Sequence, residues 1–275
     1  MTVLVTSLAS GSSGNALLLR SGHKAILIDC GLSMRAIEKQ LSWLGLQVTD
    51  LCALLLTHEH HDHAMSAGRL ARRYQLPLVC NQETAAALGD DLKDAPVEFL
   101  SVNQAAQIGP FVVRSFPIPH DAAAPVGYRI AVEDVTIGLA IDLGSWTEEV
   151  VANLRPADLL IVEANHDREL LPMAPYPWPI RQRIGGPLGH LDNVQTGELL
   201  YQVAADGRQR EVWLAHLSEQ ANTKQRALRG VERVLKLAGV TKLRLTALPR
   251  LSGHVRRGAV VWSSDNLLQQ CELFG

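Results

Sequence analysis

The sequence predicts a mixed α/β fold in which two β layers are covered by helices. Short aliphatic and β-branched runs recur along the chain, each bounded by Gly, Pro, Asn or Asp, and several are separated by stretches of helical length and periodicity. Tight connections at 20–24 and 132–135 read as antiparallel hairpins. So many short strands bury both of their faces most simply as two sheets with helices outside. The 275 residues, 47% hydrophobic and 20% charged, can fill a core and are expected to form one domain over 1–275. That composition excludes a disordered chain, a collagen or a heptad rod.

The elements follow in order. Val3 to Leu8 is apolar with no basic residue before it, so it reads as a first strand and not as a secretory signal. Strands are then expected at Ala16 to Arg20, Ala25 to Asp29, Ala53 to Thr57 and Leu78 to Cys80. Further runs at Phe111 to Phe116, Gly127 to Val132, Val135 to Ile141 and Leu159 to Glu163 have the same character, as do Glu211 to His216, Lys242 to Ala247 and Ala259 to Trp262. Ser33 as N-cap and Gly45 as stop frame a helix over Met34 to Leu44, and Gly239 ends another over Thr223 to Ala238. Helices are also expected at His63 to Tyr74, Thr147 to Asn153 and Asn193 to Ala204. Prolines 172, 175, 177 and 179 make 171–183 an ordered loop or lid. Cys30, Cys52, Cys80 and Cys271 are scattered without a CxxC, which suits reduced thiols in a cytoplasmic protein. No apolar run reaches the ~18 residues that span a bilayer, so no membrane association is expected.

Four of the ten histidines fall within the run Thr57-His58-Glu59-His60-His61-Asp62-His63, directly after an apolar strand. In an extended stretch residues i and i+2 share a face, so His58 and His60 can converge on one metal while His61 points away. Asp62 and His63 follow where the chain turns and can address a second ion. The competing reading is a surface histidine cluster with Asp62 as a helix cap; four potential ligands at this spacing favour the metal.

The motif resembles that of the metallo-β-lactamase superfamily, whose four-layer αββα sandwich of two mixed sheets holds one or two metals at the sheet ends. The resemblance extends over nearly the whole chain. Asp29, before Cys30-Gly31, matches the aspartate that supports the metal loop from behind. His120 in Pro119-His120-Asp121, Asp142 in Ile141-Asp142-Leu143-Gly144 and His216 in Ala215-His216-Leu217 match the remaining ligand motifs. The resemblance implies one ion on His58, His60 and His120, a second on Asp62, His63 and His216, and Asp142 bridging them. Zinc suits these donors, and manganese or iron would also be held. The di-iron oxygen-reducing members carry an acid where this chain has His60, so a redox role is not implied.

Ser10-Gly11-Ser12-Ser13-Gly14-Asn15, Val126-Gly127-Tyr128, Val162 to Asp167 and Pro187 to Asn193 together resemble the small bacterial YycJ-type (WalJ) branch, associated with DNA exonuclease activity. One departure is Asp192, where serine is usual. Too few residues separate Asp142 from His216 for the large inserted domain of related RNA-processing enzymes, and no long arm of the RNase Z kind is evident. Two metals about 3.5–4 Å apart acidify a bridging water, so a bridging hydroxide is the expected nucleophile on a phosphodiester. Asp62 and Asp142 are thus catalytic as well as ligands. His190 resembles the loop histidine that protonates the leaving oxygen, its competing role being a helix N-terminal residue. Ser12, Asn15, Asn165 and His166 are weaker substrate-contact candidates.

The formal charge of −2 conceals an uneven distribution. Residues 222–257 carry +9 and the rest −11. Such a basic block can hold a phosphate backbone without sequence preference, and Arg250, His254, Arg256 and Arg257, following Pro249, are the expected contacts. The alternative is a solvated helix face. With 5% aromatic residues, an extensive base-stacking platform is not expected. The expected function is a metal-dependent phosphodiesterase, foremost a DNA exonuclease; the alternatives are a hydrolase of small esters, lactones or thioesters, and a nucleic-acid-binding protein with an idle site.

Overall fold

The computed structural model describes residues 1–250, 260–266 and 271–272. One sheet is built from β1 (Val3–Ala9), β2 (Ala16–Ser21), β3 (Lys24–Ile28), β4 (Leu51–Leu55), β5 (Leu78–Cys80) and β6 (Val97–Phe99). The other comprises β7 (Ala105–Ile108), β8 (Phe111–Pro117), β9 (Val126–Val132), β10 (Val135–Ala140), β11 (Leu159–Glu163), β12 (Arg210–Ala215) and β13 (Leu243–Ala247). Two late strands, β14 (Val260–Ser263) and β15 (Cys271–Glu272), return to the first sheet, giving the order β15-β14-β1-β2-β3-β4-β5-β6 against β13-β12-β11-β10-β9-β8-β7.

The period of two along each strand sorts side chains into layers. In β2 and β3, Leu17, Leu19, Ile26 and Ile28 meet Val113, Tyr128, Ile130 and Leu139 of the opposite sheet in a shared inner core. The alternate residues Leu18, Ala25 and Leu27 pack under α1 (Met34–Trp43) and a later helix on that side. On the far side, Leu160, Val162, Val212 and Leu214 pack under α5 (Glu148–Leu154), α7 (Asn193–Val203) and α8 (Lys224–Leu237). The result is helix, sheet, sheet, helix, as expected. Both expected hairpins form, with Ser21 opposite Lys24 and Val132 opposite Val135.

Several expectations are revised. The stretch 63–74 is two helices, α2 (His61–Ala64) and α3 (Ala67–Tyr74). The break has a cause: the Ser66 amide leaves the helix to donate to the Cys30 carbonyl at 3.1 Å, and the Cys30 amide donates to the His63 carbonyl at 2.6 Å. The proline-rich stretch contains a 3-10 turn at Leu171–Met173 and α6 (Trp178–Ile184), with Pro177 as N-cap and Pro179 inside the first turn, where no amide is missed. A helix α4 (Gln82–Leu88), capped by Asn81, was not expected, nor were β6, β7 and β15. The edge strand β7, Ala-Ala-Gln-Ile, has no apolar run to betray it.

The strands β3 to β6 run parallel, as do β10 to β13, so the chain leaves several of them at two facing sets of C-terminal ends. Three of these exits bend sharply: Asp29, Asp142 and His216 have φ of 62°, 56° and 52°. Non-glycine residues adopt this left-handed region at a cost of about 1–3 kcal/mol, and here it turns each side chain back across the sheet ends. Gly31 makes a different accommodation. Its amide donates to the Asn15 carbonyl at 2.9 Å, and a Cβ placed on it would lie 1.7 Å from the Asp62 carbonyl oxygen. Gly31→Ala is therefore expected to push the 58–63 loop off its seat and cost about 1–3 kcal/mol. A urea-unfolding midpoint equal to wild type would contradict this.

Candidate metal centre

The loop between β4 and α2 places the histidine run at the sheet ends, and the other elements close around it. His58 and His63 are buried, His60 is half-buried and His61 is exposed, as the alternation implied. One nitrogen each from His58, His60 and His120 converge within 4.8 Å of one another; so do donor atoms of Asp62, His63, Asp142 and His216, and of Asp142, Glu163, His190 and His216. All residues expected as ligands are thus brought together.

Their orientation follows from the partners behind them. His120 Nδ1 lies 3.0 Å from the Gly189 carbonyl oxygen, which can only accept, so Nδ1 carries the proton and Nε2 offers a lone pair. His63 Nδ1 donates to Asp29 Oδ2 at 2.8 Å with the same consequence. Thr57 Oγ1 donates to Asp29 at 3.0 Å and lies 3.0 Å from His58 Nδ1, so a relay from His58 through Thr57 ends on the same carboxylate. Asp29 therefore sits where the sequence placed it, behind the loop. Such outer partners fix the tautomer and aim of metal-binding imidazoles.

Distances across the cluster test whether cations fit. In a tetrahedral site with bonds of about 2.0–2.1 Å, neighbouring donors are about 3.3–3.4 Å apart. His60 Nδ1 and His120 Nε2 are 3.3 Å apart, and His58 Nε2 is 3.4 Å from Asp142 Oδ2. Asp62 Oδ2 is 3.5 Å from both His63 Nε2 and His216 Nε2, while Asp142 Oδ2 approaches His63 Nε2 to 2.6 Å. The buried Nε2 atoms of His58 and His216 have no hydrogen-bond partner. An orphaned imidazole nitrogen in a buried, carboxylate-rich space is a poor arrangement for a fold and a good one for a divalent cation. The residues present fit such ions.

The electrostatics agree. Burial and the neighbouring His63 hold His58 well below the ordinary histidine range, and burial likewise lowers His120, so both are neutral donors. Burial would also lower His63 and His216, but the Asp142 carboxylate and its neighbours outweigh it and hold both well above that range. Burial acts to raise Asp62 and Asp142, yet the surrounding imidazoles draw both below the usual carboxylate range. The second set therefore carries excess negative charge that protons or cations must balance.

Glu163, the last residue of β11, is the functional residue that sequence reasoning passed over. It is fully buried and accepts from His190 Nδ1 at 2.8 Å and the Leu143 and Leu191 amides at 3.1 Å each, with His216 Nδ1 at 2.7 Å. An acid closing the apolar run Leu-Leu-Ile-Val was the available signal. His190 does not cap α7; Asp192 does, accepting from the Val194 and Gln195 amides in a capping box. Aspartate and serine are both good N-caps, which explains why the usual serine can be replaced here. Burial works against protonation of His190, but Glu163 and Asp142 override it and raise the group to about 9.

The weaker candidates separate. Asn15 is buried at the loop, its Nδ2 2.9 Å from His63 Nε2 and its amide donating to the Asp62 carbonyl at 2.7 Å. Asn165 is buried too, and its Nδ2 donates to the His216 carbonyl at 3.0 Å. Both brace ligands. His166 is buried beside Asp192, its Nδ1 without a hydrogen bond. Ser12 is exposed, on a loop that shares a cavity with Arg250. Arg250 donates from its guanidinium to the carbonyls of Leu217 at 3.0 Å, Ser218 at 2.5 Å and Asn222 at 2.8 Å, so it clamps the loop after His216 while remaining exposed. His254, Arg256 and Arg257 lie outside the described residues.

Residues 9–202 match the model of the metallo-beta-lactamase superfamily. An exodeoxyribonuclease YycJ of Bacillus anthracis is 35% identical over 235 residues, covering 84% of this chain and 89% of that one. An exodeoxyribonuclease WalJ of Streptococcus pneumoniae is 35% identical over 225 residues, covering 80% and 83%. Among solved structures, the metallo-beta-lactamase fold protein YhfI of Bacillus subtilis superposes with a TM-score of 0.72 at 19% identity, covering 96% and 99%. With the family model matched over more than two thirds of its length, and two sheets and two outer helix layers arranged as in that fold, the chain belongs to the metallo-β-lactamase superfamily.

Proposed function

We propose that the protein is a metal-dependent nuclease that hydrolyses phosphodiester bonds of DNA from a strand end. The observation that carries this is the approach of both donor sets to one buried carboxylate, Asp142, whose Oδ2 lies 3.4 Å from His58 Nε2 and 2.6 Å from His63 Nε2. The relatives that are exodeoxyribonucleases, similar over most of both chains, support the substrate class. His58, His60 and His120 would hold one divalent ion, and Asp62, His63 and His216 the second, with Asp142 common to both. Zinc suits the imidazole-rich set; manganese and iron fit as well. When bound, such ions offset charge developing on phosphoryl oxygens and lower the pKa of the attacking water.

The chain's own groups supply the rest. His190, whose proton the Glu163 carboxylate favours and which is ringed at 5.2 Å by His120 and His216, is placed to give its proton to the leaving oxygen. Glu163 keeps that proton on His190 and aims the His216 ring. Asp29, through Thr57 and His63, holds the loop against recoil. The exposed Ser12 loop borders the site beside His216, whose amide donates to Ser10 Oγ at 2.9 Å, and is the nearer substrate contact. The reading takes 1–275 as one catalytic unit. Unpaired Cys30, Cys52 and Cys80 support a cytoplasmic setting, and no helix among the described residues is long and apolar enough to cross a membrane.

Metal-loaded wild type should shorten end-labelled single- or double-stranded DNA progressively, and Asp62→Ala should lose about 10³-fold or more of that activity. The same preparations are offered labelled RNA, a lactone and a thioester. Metal-dependent turnover of the carbonyl substrates alone would overturn the nuclease reading, and equal activity in the variant would move the site elsewhere. Glu163→Gln keeps the shape and removes the charge. It is expected to cost about 10–100-fold in metal affinity or turnover, read by a metal-buffered titration. His190→Ala should retain the metals, measured by elemental analysis, while kcat falls about 10²–10⁴-fold. Loss of metal with little change in kcat per bound ion would make His190 a ligand and not an acid.

A further inference from the structure

The stretch 170–191 differs from the rest of the surface. It contains Arg181 and Arg183 and no acidic residue. Nine large hydrophobic side chains are exposed among the described residues, and four of them fall here: Met173 at 71%, Trp178 at 66%, Leu188 at 53% and Ile180 at 39%. Of the five tryptophans, Trp178 is the exposed one. Leu171, Ala174 and Ala221, with Tyr176 and Ile184 against them, form a small core beneath the segment, so the outward side chains are held out by a packed base and by closely spaced prolines.

This surface is fastened to the metal-ligand cluster at several points. The Gly189 carbonyl orients His120, the Asp121 amide donates to the Leu188 carbonyl at 3.0 Å, and the His190 amide donates to the Ile184 carbonyl at 2.9 Å. Arg183 pairs with Asp121 through Nε and, at 3.1 Å, through Nη2. More than half of its side chain remains exposed, and it also lies in the field of the Asp142 and Asp62 carboxylates. Trp178 and Arg183 are five residues apart on α6, about 7.5 Å along the axis.

An exposed indole with cationic neighbours, on a segment that itself carries no acid and is joined through Asp121 and Gly189 to the proposed phosphodiester-cleaving site, has the chemistry that holds an unpaired nucleic-acid strand. We propose that the 171–189 segment is the docking surface for the single-stranded end of the DNA substrate, with Trp178 stacking on a base and Arg183 holding the phosphate nearest the metal ligands. The inference rests on the nuclease reading and adds to it that the strand must be unpaired where it meets α6. One aromatic side chain is enough for one base, so the low aromatic content of the chain is no obstacle.

The test is fluorescence anisotropy with metal-loaded protein and a fluorescein-labelled oligothymidylate whose phosphorothioate linkages resist hydrolysis, beside a blunt duplex of the same length. Wild type should favour the single strand. Trp178→Ala should weaken it about 5- to 100-fold, the range that base–aromatic stacking carries, while Trp178→Phe recovers most of the loss. Arg183→Ala should make the dependence of log affinity on log salt shallower by about 0.7, which loss of a merely structural ion pair would not do. Tyr201→Ala, an exposed aromatic on α7, should behave as wild type. Unchanged single-strand affinity in Trp178→Ala would overturn the proposal while leaving nuclease activity, assayed separately, standing. So would a dimer of the chain that Trp178→Ala dissolves with oligonucleotide binding unaltered. Absence of DNA hydrolysis by wild type would instead count against the nuclease reading.

Discussion

Asp142 is a carboxylate buried at the junction of two sheets, and most of the local structure compensates for that placement. A charge withdrawn from water costs several kcal/mol unless partners replace the hydration it loses. Its Oδ2 meets His63 at 2.6 Å and His58 at 3.4 Å, and its Oδ1 meets His216 at 2.5 Å and His190 at 3.4 Å. Each of these imidazoles needs a second anchor to stay aimed at it. Asp29 serves His63 directly and His58 through Thr57, and Glu163 serves His190 and His216. The buried polar network is satisfied on its outer side and left open on its inner side, where its donors are able to hold cations.

The fold supplies what this network needs: several parallel strand ends in two sheets that face one another. Left-handed backbone at Asp29, Asp142 and His216 reverses the chain directly after a strand, so the strain sits at the functional groups and the long buried strands carry it. The loop bearing the histidine run is held by backbone bonds from Asn15 and Cys30, neither of which is its sequence neighbour, and Cys30 in turn accepts from Ser66. That is why the helix expected over 63–74 breaks at Met65 and Ser66. Holding His63 in the cluster outranks helical continuity.

Charge along the chain is a poorer guide to the surface than its segregation suggests. The basic C-terminal block turns partly inward: Arg226 meets Asp167 and Glu169, Arg244 meets Glu211, and Arg250 clamps carbonyls behind His216. Its remaining exposed members on α8, Lys224, Arg229, Arg233 and Lys236, fit the solvated-face reading equally well. The proline-rich segment, by contrast, places Arg183 beside the ligand cluster, paired with Asp121 next to His120. Position relative to the site, and not the count of positive residues, is what gives a cation a part in binding phosphate.

Much of the molecule was legible from residue order. The periods of strands and helices set the two layers, since burying alternate residues on both faces of Leu17–Leu19 and Ala25–Ile28 requires a sheet on one side and helices on the other. The histidine run pointed to metal binding because four donor residues after an apolar strand have few other uses, and His120, Asp142 and His216, which the resemblance singled out, lie beside it in the structure. Glu163 was not legible as a partner, because an acid at a strand end acquires meaning only from the two imidazoles that long-range packing brings to it. The same holds for Arg250, whose carbonyl partners lie about thirty residues away, and for Trp178, whose exposure depends on the small core beneath it. Local pattern decides which backbone forms and which side chains are able to bind. Which of them meet is decided by contacts distant in sequence, and those exist only once the two sheets have closed on each other.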